Sequence, residues 1–244
     1  MSSLVVCEDF YSIQGEGKSL GAPSVFLRLA GCNLRCSGFS YKHPKTGEHL
    51  GCDTKHVWMK GERQSFTDII ARWEILGWLE HLKQGAHLVI TGGEPLLQQP
   101  ALVEFLKMLD QKTITPVYAE VETNATMLFQ EPFLARVNQI NASPKLLHSG
   151  EKNAYFIDAL TQLAASPKTA FKFVVRNAED LAEIHARYIS FFNITPKNIW
   201  LMPEAGTKAL LEARQQDIIE LAKQHSMNYS TRLHLLVWDE ATGV

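Results

Sequence analysis

From residue 87 onward the chain repeats one beat, a short apolar run followed by a polar cluster and then a helical stretch. Residues 87–91 lead into Gly92-Gly93-Glu94-Pro95 and a helix over about 98–109. Residues 117–122 lead into Thr123-Asn124 and a helix over about 128–137, and residues 139–142 lead into Ser143-Pro144-Lys145 and a helix over about 153–164. Residues 170–175, containing Lys172, precede a helix over 178–191. Residues 198–202 precede Pro203-Glu204-Ala205-Gly206 and a long helix over 208–225, and 231–237 reads as a last strand-like segment holding His234. Strands alternating with helices predict an α/β fold with a parallel sheet. Strands pairing in chain order would curve into a full or partial (β/α) barrel of about six parallel strands, with its active site at their C-terminal ends. The polar clusters all sit there.

Upstream, a short strand opens the chain and a second covers Val25-Phe26-Leu27-Arg28-Leu29. A helix over about 65–83 carries Ile69, Ile70, Trp73, Leu76, Leu79 and Leu82 at helical spacing, so these are core candidates. With no repeat or linker, residues 1–244 read as a single domain. The 24 basic and 26 acidic residues leave a net charge of −2, which gives no global attraction to nucleic acid or to an anionic membrane. No apolar run approaches the roughly 18 residues that cross a bilayer. The acidic N-terminal stretch is unlike a signal peptide, and the expected location is cytoplasmic.

Three of the four cysteines fall between Gly31 and Thr54, in GCNLRCSGFSYKHPKTGEHLGCDT, with three residues between Cys32 and Cys36 and fifteen between Cys36 and Cys52. Gly38, Pro44, Gly47 and Gly51 mark the second gap as a loop. In a reducing compartment, metal ligation, reactivity or burial is a better reading than disulfides. Three thiolates suit an iron–sulfur cluster with one iron left open to a substrate. The competing reading is a zinc site of Cys32, Cys36, Cys52 and either His43 or His49; otherwise His43, His49 and His56 read as solvated loop histidines. Cys7, in an apolar run, reads as a buried thiol.

Other positions invite a ligand without demanding one. Gln14-Gly15-Glu16-Gly17 is either a surface turn or a backbone that lets a small molecule approach closely. Arg28, three residues before the cysteine loop, either snorkels outward or faces an anion. The Gly92-Gly93-Glu94 turn presents bare amides and a carboxylate, a place to hold an ammonium group.

The blocks GCNLRC, CDT and TGGEP together resemble the radical S-adenosylmethionine enzymes, except that the second cysteine gap is longer, as though a segment at about 38–51 were inserted. More narrowly FYSIQGEG, PSVFLRLAGCNLRC, CDTKHVW, VITGGEP, VETNAT and NASPK, in that order, resemble the 7-carboxy-7-deazaguanine synthase family of the queuosine pathway. The resemblance implies a partial barrel of the radical S-adenosylmethionine type. It implies a [4Fe–4S] cluster on Cys32, Cys36 and Cys52, with S-adenosylmethionine on the fourth iron and magnesium on Thr54. It places Gly51, Asp53, Gly93, Glu94, Glu122, Ser143, Pro144, Lys145 and Lys172 around the cofactor, with Asp53 a rival ligand for magnesium. It places Ile13, Gln14, Gly15, Arg28, Thr91, Asn124, His234 and the terminal Val244 around 6-carboxy-5,6,7,8-tetrahydropterin, which the family converts to 7-carboxy-7-deazaguanine with loss of ammonia. A flavodoxin or ferredoxin as reductant and a homodimer complete what it implies. A radical activase of another protein is the rival enzyme class, but it would leave Gln14-Gly15-Glu16-Gly17 and Arg28 without a task.

Overall fold

The structure is a computed structural model and describes residues 2–43, 46–239 and 241. The strands among them are β1 (Ser3–Ile13), β2 (Pro23–Leu29), β3 (Tyr41–Lys42), β4 (His49–Gly51), β5 (Glu62–Ser65), β6 (His87–Gly92), β7 (Ala119–Thr123), β8 (Gln139–Ala142), β9 (Thr169–Val175), β10 (Ile199–Pro203) and β11 (Asn228–Tyr229). The helices are α1 (Lys55–Trp58), α2 (Phe66–Ile75), α3 (Trp78–Lys83), α4 (Gln99–Thr113), α5 (Glu131–Arg136), α6 (Ile157–Ala165), α7 (Ala178–Ile184), α8 (Ser190–Phe192), α9 (Lys208–Gln224) and α10 (Leu233–Trp238).

Nine strands form one sheet in the order β11-β10-β9-β8-β7-β6-β2-β1-β5, while β3 and β4 make a separate hairpin. From β2 to β11 every neighbour runs parallel, and the last of these seven strands is only two residues long. β1 and β5 add an antiparallel edge. The two edges, β5 and β11, do not pair with each other. Side chains from β1 through β10 nevertheless line one cavity, so the sheet wraps around it as a partial barrel. The expected α/β architecture of about six parallel strands is what forms.

Strand alternation sorts the side chains. Leu27, Leu29, Leu88, Ile90, Val121, Ile140, Phe171, Phe173 and Leu201 point outward into the core beneath the helices, with fully buried Trp73, Phe105, Phe133 and Tyr188. The intervening residues Arg28, Thr91, Glu122, Asn141 and Lys172 face the cavity. Register places Arg28 beside Thr91 and Glu122 beside Asn141. Side-chain caps start the helices: Ser65 accepts the Asp68 N–H at 3.1 Å, Asn177 the Asp180 N–H at 3.2 Å and Thr207 the Leu210 N–H at 3.3 Å.

Four expectations change, one being that Leu76, just past the end of α2, is exposed and not a core residue. The helix expected over 65–83 is two helices, broken at Gly77, whose φ of 76° no helix continues. Cys7 is half-buried rather than buried. The strand-like segment 231–237 is helical from Leu233: Leu235 packs on Ala205 and Leu211 with Leu236 alongside. Six residues with leucine at 233, 235 and 236 fit either period, and packing against α9 decides it.

Candidate active site

A cavity of about 320 Å³ opens at the C-terminal ends of the parallel strands. Cys32, Cys36 and Cys52, all free thiols, line one end of it. They pack with Leu34, Phe39 and Ala154 in one apolar group. Burial raises the Cys32 thiol, and it pushes Cys36 to about 11 even though Lys145 opposes the shift. Thiols so dry are inert alone and need a cation to ionise them. Among the described residues, no three His, Cys, Asp or Glu side chains are grouped to share one metal ion. A four-iron cluster spreads its three sulfur ligands around a cube, and a convergent, apolar trio of cysteines fits it.

The histidines of the zinc reading lie elsewhere. His43 sits edge-on to His56, which stacks on Tyr41 at 5.9 Å, while His49 is exposed. His43 in the insertion and His56 on α1 are thus half-buried, not solvated as expected.

The insertion itself is the β3–β4 hairpin. At its neck Gly51 has a φ of +72°, and a Cβ there would lie 2.5 Å from the Cys36 carbonyl oxygen and 2.7 Å from the Ser37 Cα. Only glycine allows that approach. The excursion therefore leaves the cysteine loop and returns to the same spot, which brings Cys52 back beside Cys36 despite fifteen intervening residues.

Opposite the cysteines lies a basket of charges. Lys172 Nζ meets Glu16 Oε2 at 2.5 Å and Glu122 Oε1 at 4.0 Å. Arg232 donates from Nε to Glu16 Oε1 at 3.0 Å, from Nη2 to Asp53 Oδ2 at 2.5 Å, and to the Ala205 carbonyl. Burial opposes ionising Glu16, but Lys172 and Arg232 outweigh it and hold the carboxyl well below the usual carboxylate range. Burial and Arg232 oppose the charge on Lys172, but Glu16 and Glu122 outweigh them and raise its pKa. Glu122 also accepts from Thr91 Oγ1 at 2.8 Å and from Gln14 Nε2 at 3.4 Å. Arg28 is held by Glu8 through Nε at 2.8 Å, an orientation that leaves its terminal nitrogens for a ligand. On the cavity floor, Asn141 is fixed by Glu120 at 2.9 Å and Gln139 at 2.8 Å.

The turn Gln14–Gly17 is buried in the site, not a surface turn. Leu233 N–H donates to the Gly15 carbonyl at 2.9 Å, Gly17 N–H to Ser230 Oγ at 2.7 Å, and His234 stands against Gly15. Burial and the nearby Arg232 charge lower the His234 pKa, so its imidazole is neutral near pH 7.

Of the residues expected around substrate, Ile13, Gln14, Gly15, Arg28, Thr91, Asn124 and His234 line the cavity, and Val244 lies outside the described residues. Of those expected around the cofactor, Gly51, Asp53, Gly93, Glu122, Ser143, Lys145 and Lys172 line it, with Thr54 beside Cys52. Two do not. Pro144 is absent from the wall between Ser143 and Lys145, and Glu94 is fully buried behind it. The Glu94 carboxylate accepts from Leu96 N–H at 3.0 Å, Asn124 N–H at 2.7 Å and Thr123 Oγ1 at 3.0 Å, while its own N–H donates to Gly31 at 2.8 Å. Burial, stronger than these hydrogen bonds, pushes its carboxyl up to about 7. Glu94 thus ties the Gly92-Gly93 turn to the cysteine loop, and the backbone of Gly92 and Gly93 is what faces the cavity. Sequence reasoning missed Arg232, Glu8 and Glu16 as charged members of the site. Glu16 lay within a named turn, and Arg232 two residues before a named histidine.

A family model described as a 4Fe-4S single cluster domain matches residues 13–138, just over half of the chain. The 7-carboxy-7-deazaguanine synthase of Halobacterium salinarum is 35% identical over 98% of this chain and 92% of its own. That of Pyrobaculum aerophilum is 34% identical over 98% and 96%. The crystal structure of QueE from Escherichia coli shares the fold, with a TM-score of 0.66 at 22% identity over 96% of each chain. The length and closeness of these matches mean that the chain belongs to the 7-carboxy-7-deazaguanine synthase family.

Proposed function

We propose that this protein is a lyase that converts 6-carboxy-5,6,7,8-tetrahydropterin to 7-carboxy-7-deazaguanine with loss of ammonia, and that residues 1–244 form one catalytic domain. One observation carries the reading: a single cavity joins three dry cysteines to a basket of charged and amide groups. Cys32, Cys36 and Cys52 would hold the cluster, which together with S-adenosylmethionine would supply radical hydrogen-abstraction chemistry at this end of the cavity.

The chain's own residues bind, orient and exclude water. Arg28, pre-aimed by Glu8, receives the substrate carboxylate. Glu122, with Gln14 and Thr91 hydrogen-bonded to it, offers a carboxylate-and-amide edge to the N–H groups of the pterin. The backbone of Ile13 and Gly15, with Asn124 and neutral His234, completes the substrate side. Gly93, Ser143 and Lys145, which line the cavity, would hold the cofactor, with the Gly92-Gly93 backbone available to its amino group. Lys172, charged between Glu16 and Glu122, holds a proton at Nζ beside the leaving nitrogen.

Magnesium belongs on Thr54 with the substrate carboxylate. The Asp53 carboxylate is bound to Arg232 through Oδ2, whereas among the described residues the Thr54 hydroxyl makes only a long 3.5 Å contact, to Cys52 Sγ, and is a neutral ligand beside the substrate anion. A flavodoxin or ferredoxin as reductant, a homodimer and a cytoplasmic location accompany the reading. No helix among the described residues is long and apolar enough to cross a membrane. The direct test is anaerobic incubation of the iron-loaded protein with reductant, S-adenosylmethionine, magnesium and the carboxy-tetrahydropterin. The expected outcome is 7-carboxy-7-deazaguanine, and cofactor cleavage without that product rejects the substrate.

A further inference from the structure

The first arm of the 38–51 insertion is anchored on two sides within three residues, at Gly38 and at Ser40. On one side Gly38 N–H donates to the Ser149 carbonyl at 2.8 Å, and Phe39 lies edge-on against His148 at 5.6 Å, a ring fixed in turn by Asp180 at 2.8 Å. On the other side Ser40 donates twice to one oxygen of Glu204, from its N–H at 2.8 Å and its Oγ at 2.6 Å. Glu204 is buried at the end of β10, and its second oxygen is held by Arg214. Between these anchors Phe39 packs onto the cysteine group, and just past them Tyr41 enters the cavity wall against Gly206.

We propose that Glu204 is a positioning residue for the metal end of the cavity: by gripping Ser40 it fixes the insertion as a strap that keeps Phe39 over the cysteines and water away from what they bind. A loop joined only at its neck would open on its own. A buried carboxylate accepting two hydrogen bonds and paired to an arginine supplies the free energy that holds such a segment closed. The insertion thus lengthens the cysteine spacing without loosening the site, because its neck is closed at Gly51 and its first arm is fixed on the segment after β8 through Gly38 and on Glu204 through Ser40.

The proposal rests on the cluster reading of the three cysteines, and the experiment separates the two. Anaerobically reconstituted wild type, Glu204→Ala, Ser40→Ala, Phe39→Ala and the Glu204→Ala/Phe39→Ala pair are assayed for iron and sulfide. Each is then exposed to a ferrous chelator while loss of visible absorption is followed. Glu204→Ala should bleach about tenfold faster than wild type and Ser40→Ala about threefold faster. If Glu204 acts through Phe39, the double variant bleaches no faster than the quicker single variant. Wild-type bleaching rates in both Glu204→Ala and Ser40→Ala, or multiplied effects in the pair, overturn the strap. If Glu204→Ala takes up no iron, Ser40→Ala alone decides it, by the same threefold criterion. A wild-type protein that binds neither iron nor sulfide overturns the cluster reading and the strap with it.

Discussion

The two ends of the cavity are built on opposite principles. The cysteine end is apolar and comes mostly from residues 32–52, and among the described residues Cys32 Sγ makes only long contacts, with a Leu34 N–H at 3.5 Å and an Asn124 amide at 3.9 Å. The basket end is ionic and assembled from distant chain, with Glu16 meeting Lys172 and Arg232 across 156 and 216 residues. A dry thiol trio has little to gain from the protein alone and is completed by metal. A charged basket must be complete before ligand arrives, because an unpaired buried charge costs several kcal/mol.

If that contrast holds, Cys52→Ala should abolish cluster binding while leaving the basket and the fold intact. Iron, sulfide and the visible band should all be lost, with the melting transition of the apoprotein within a few degrees of wild type. Retention of four irons would mean that another residue is the third ligand.

The opposite is expected at the other end. Glu16→Gln leaves Lys172 and Arg232 short of a partner, and the cost should be about 3–5 kcal/mol of stability at neutral pH. The folded-state pKa of Glu16 lies below its ordinary value of 4.5. Its contribution is therefore complete above that value and disappears as pH falls through the folded one. The stability gap between wild type and Glu16→Gln, read from urea midpoints, should be widest near pH 7, begin to narrow below 4.5 and keep shrinking as the pH falls further. An equal gap at pH 7 and pH 3 would remove Glu16 from its ionic role.

The contrast also explains what was legible in sequence. The cysteine trio is local, and strand alternation with the polar clusters marks Arg28, Thr91, Glu122 and Lys172 as neighbours at one end of a barrel. Arg232 was invisible because its partners are remote and its own segment fits two periods. Glu94 misled because an acid before proline serves equally as a ligand group and as a cap, and only its three buried donors settle which. The insertion could be located by its glycines, but its grip on Glu204 spans 164 residues.

Within the basket, Arg28 differs from the Glu16 group in pairing with the single carboxylate of Glu8 while lining the cavity, where the proposed reading puts the substrate carboxylate. Arg28→Ala should weaken apparent substrate affinity by roughly 10- to 100-fold, the worth of a charge-assisted pair, while reductive cleavage of S-adenosylmethionine stays measurable. Unchanged affinity would take Arg28 out of the substrate site.

Thr91 is the gentlest probe. Its hydroxyl donates to Glu122 at 2.8 Å, and its strand position adjoins Arg28. Thr91→Val keeps the shape and removes one neutral donor, so Glu122 keeps Gln14 and Lys172 but turns more freely. The expected effect is about 1 kcal/mol, a threefold to tenfold rise in KM with kcat little changed, because the bond orients a binding group and is not made anew as the reaction proceeds. A fall in kcat at constant KM would instead place Glu122 at the reacting atoms, and the basket would then take part in the chemistry as well as in binding.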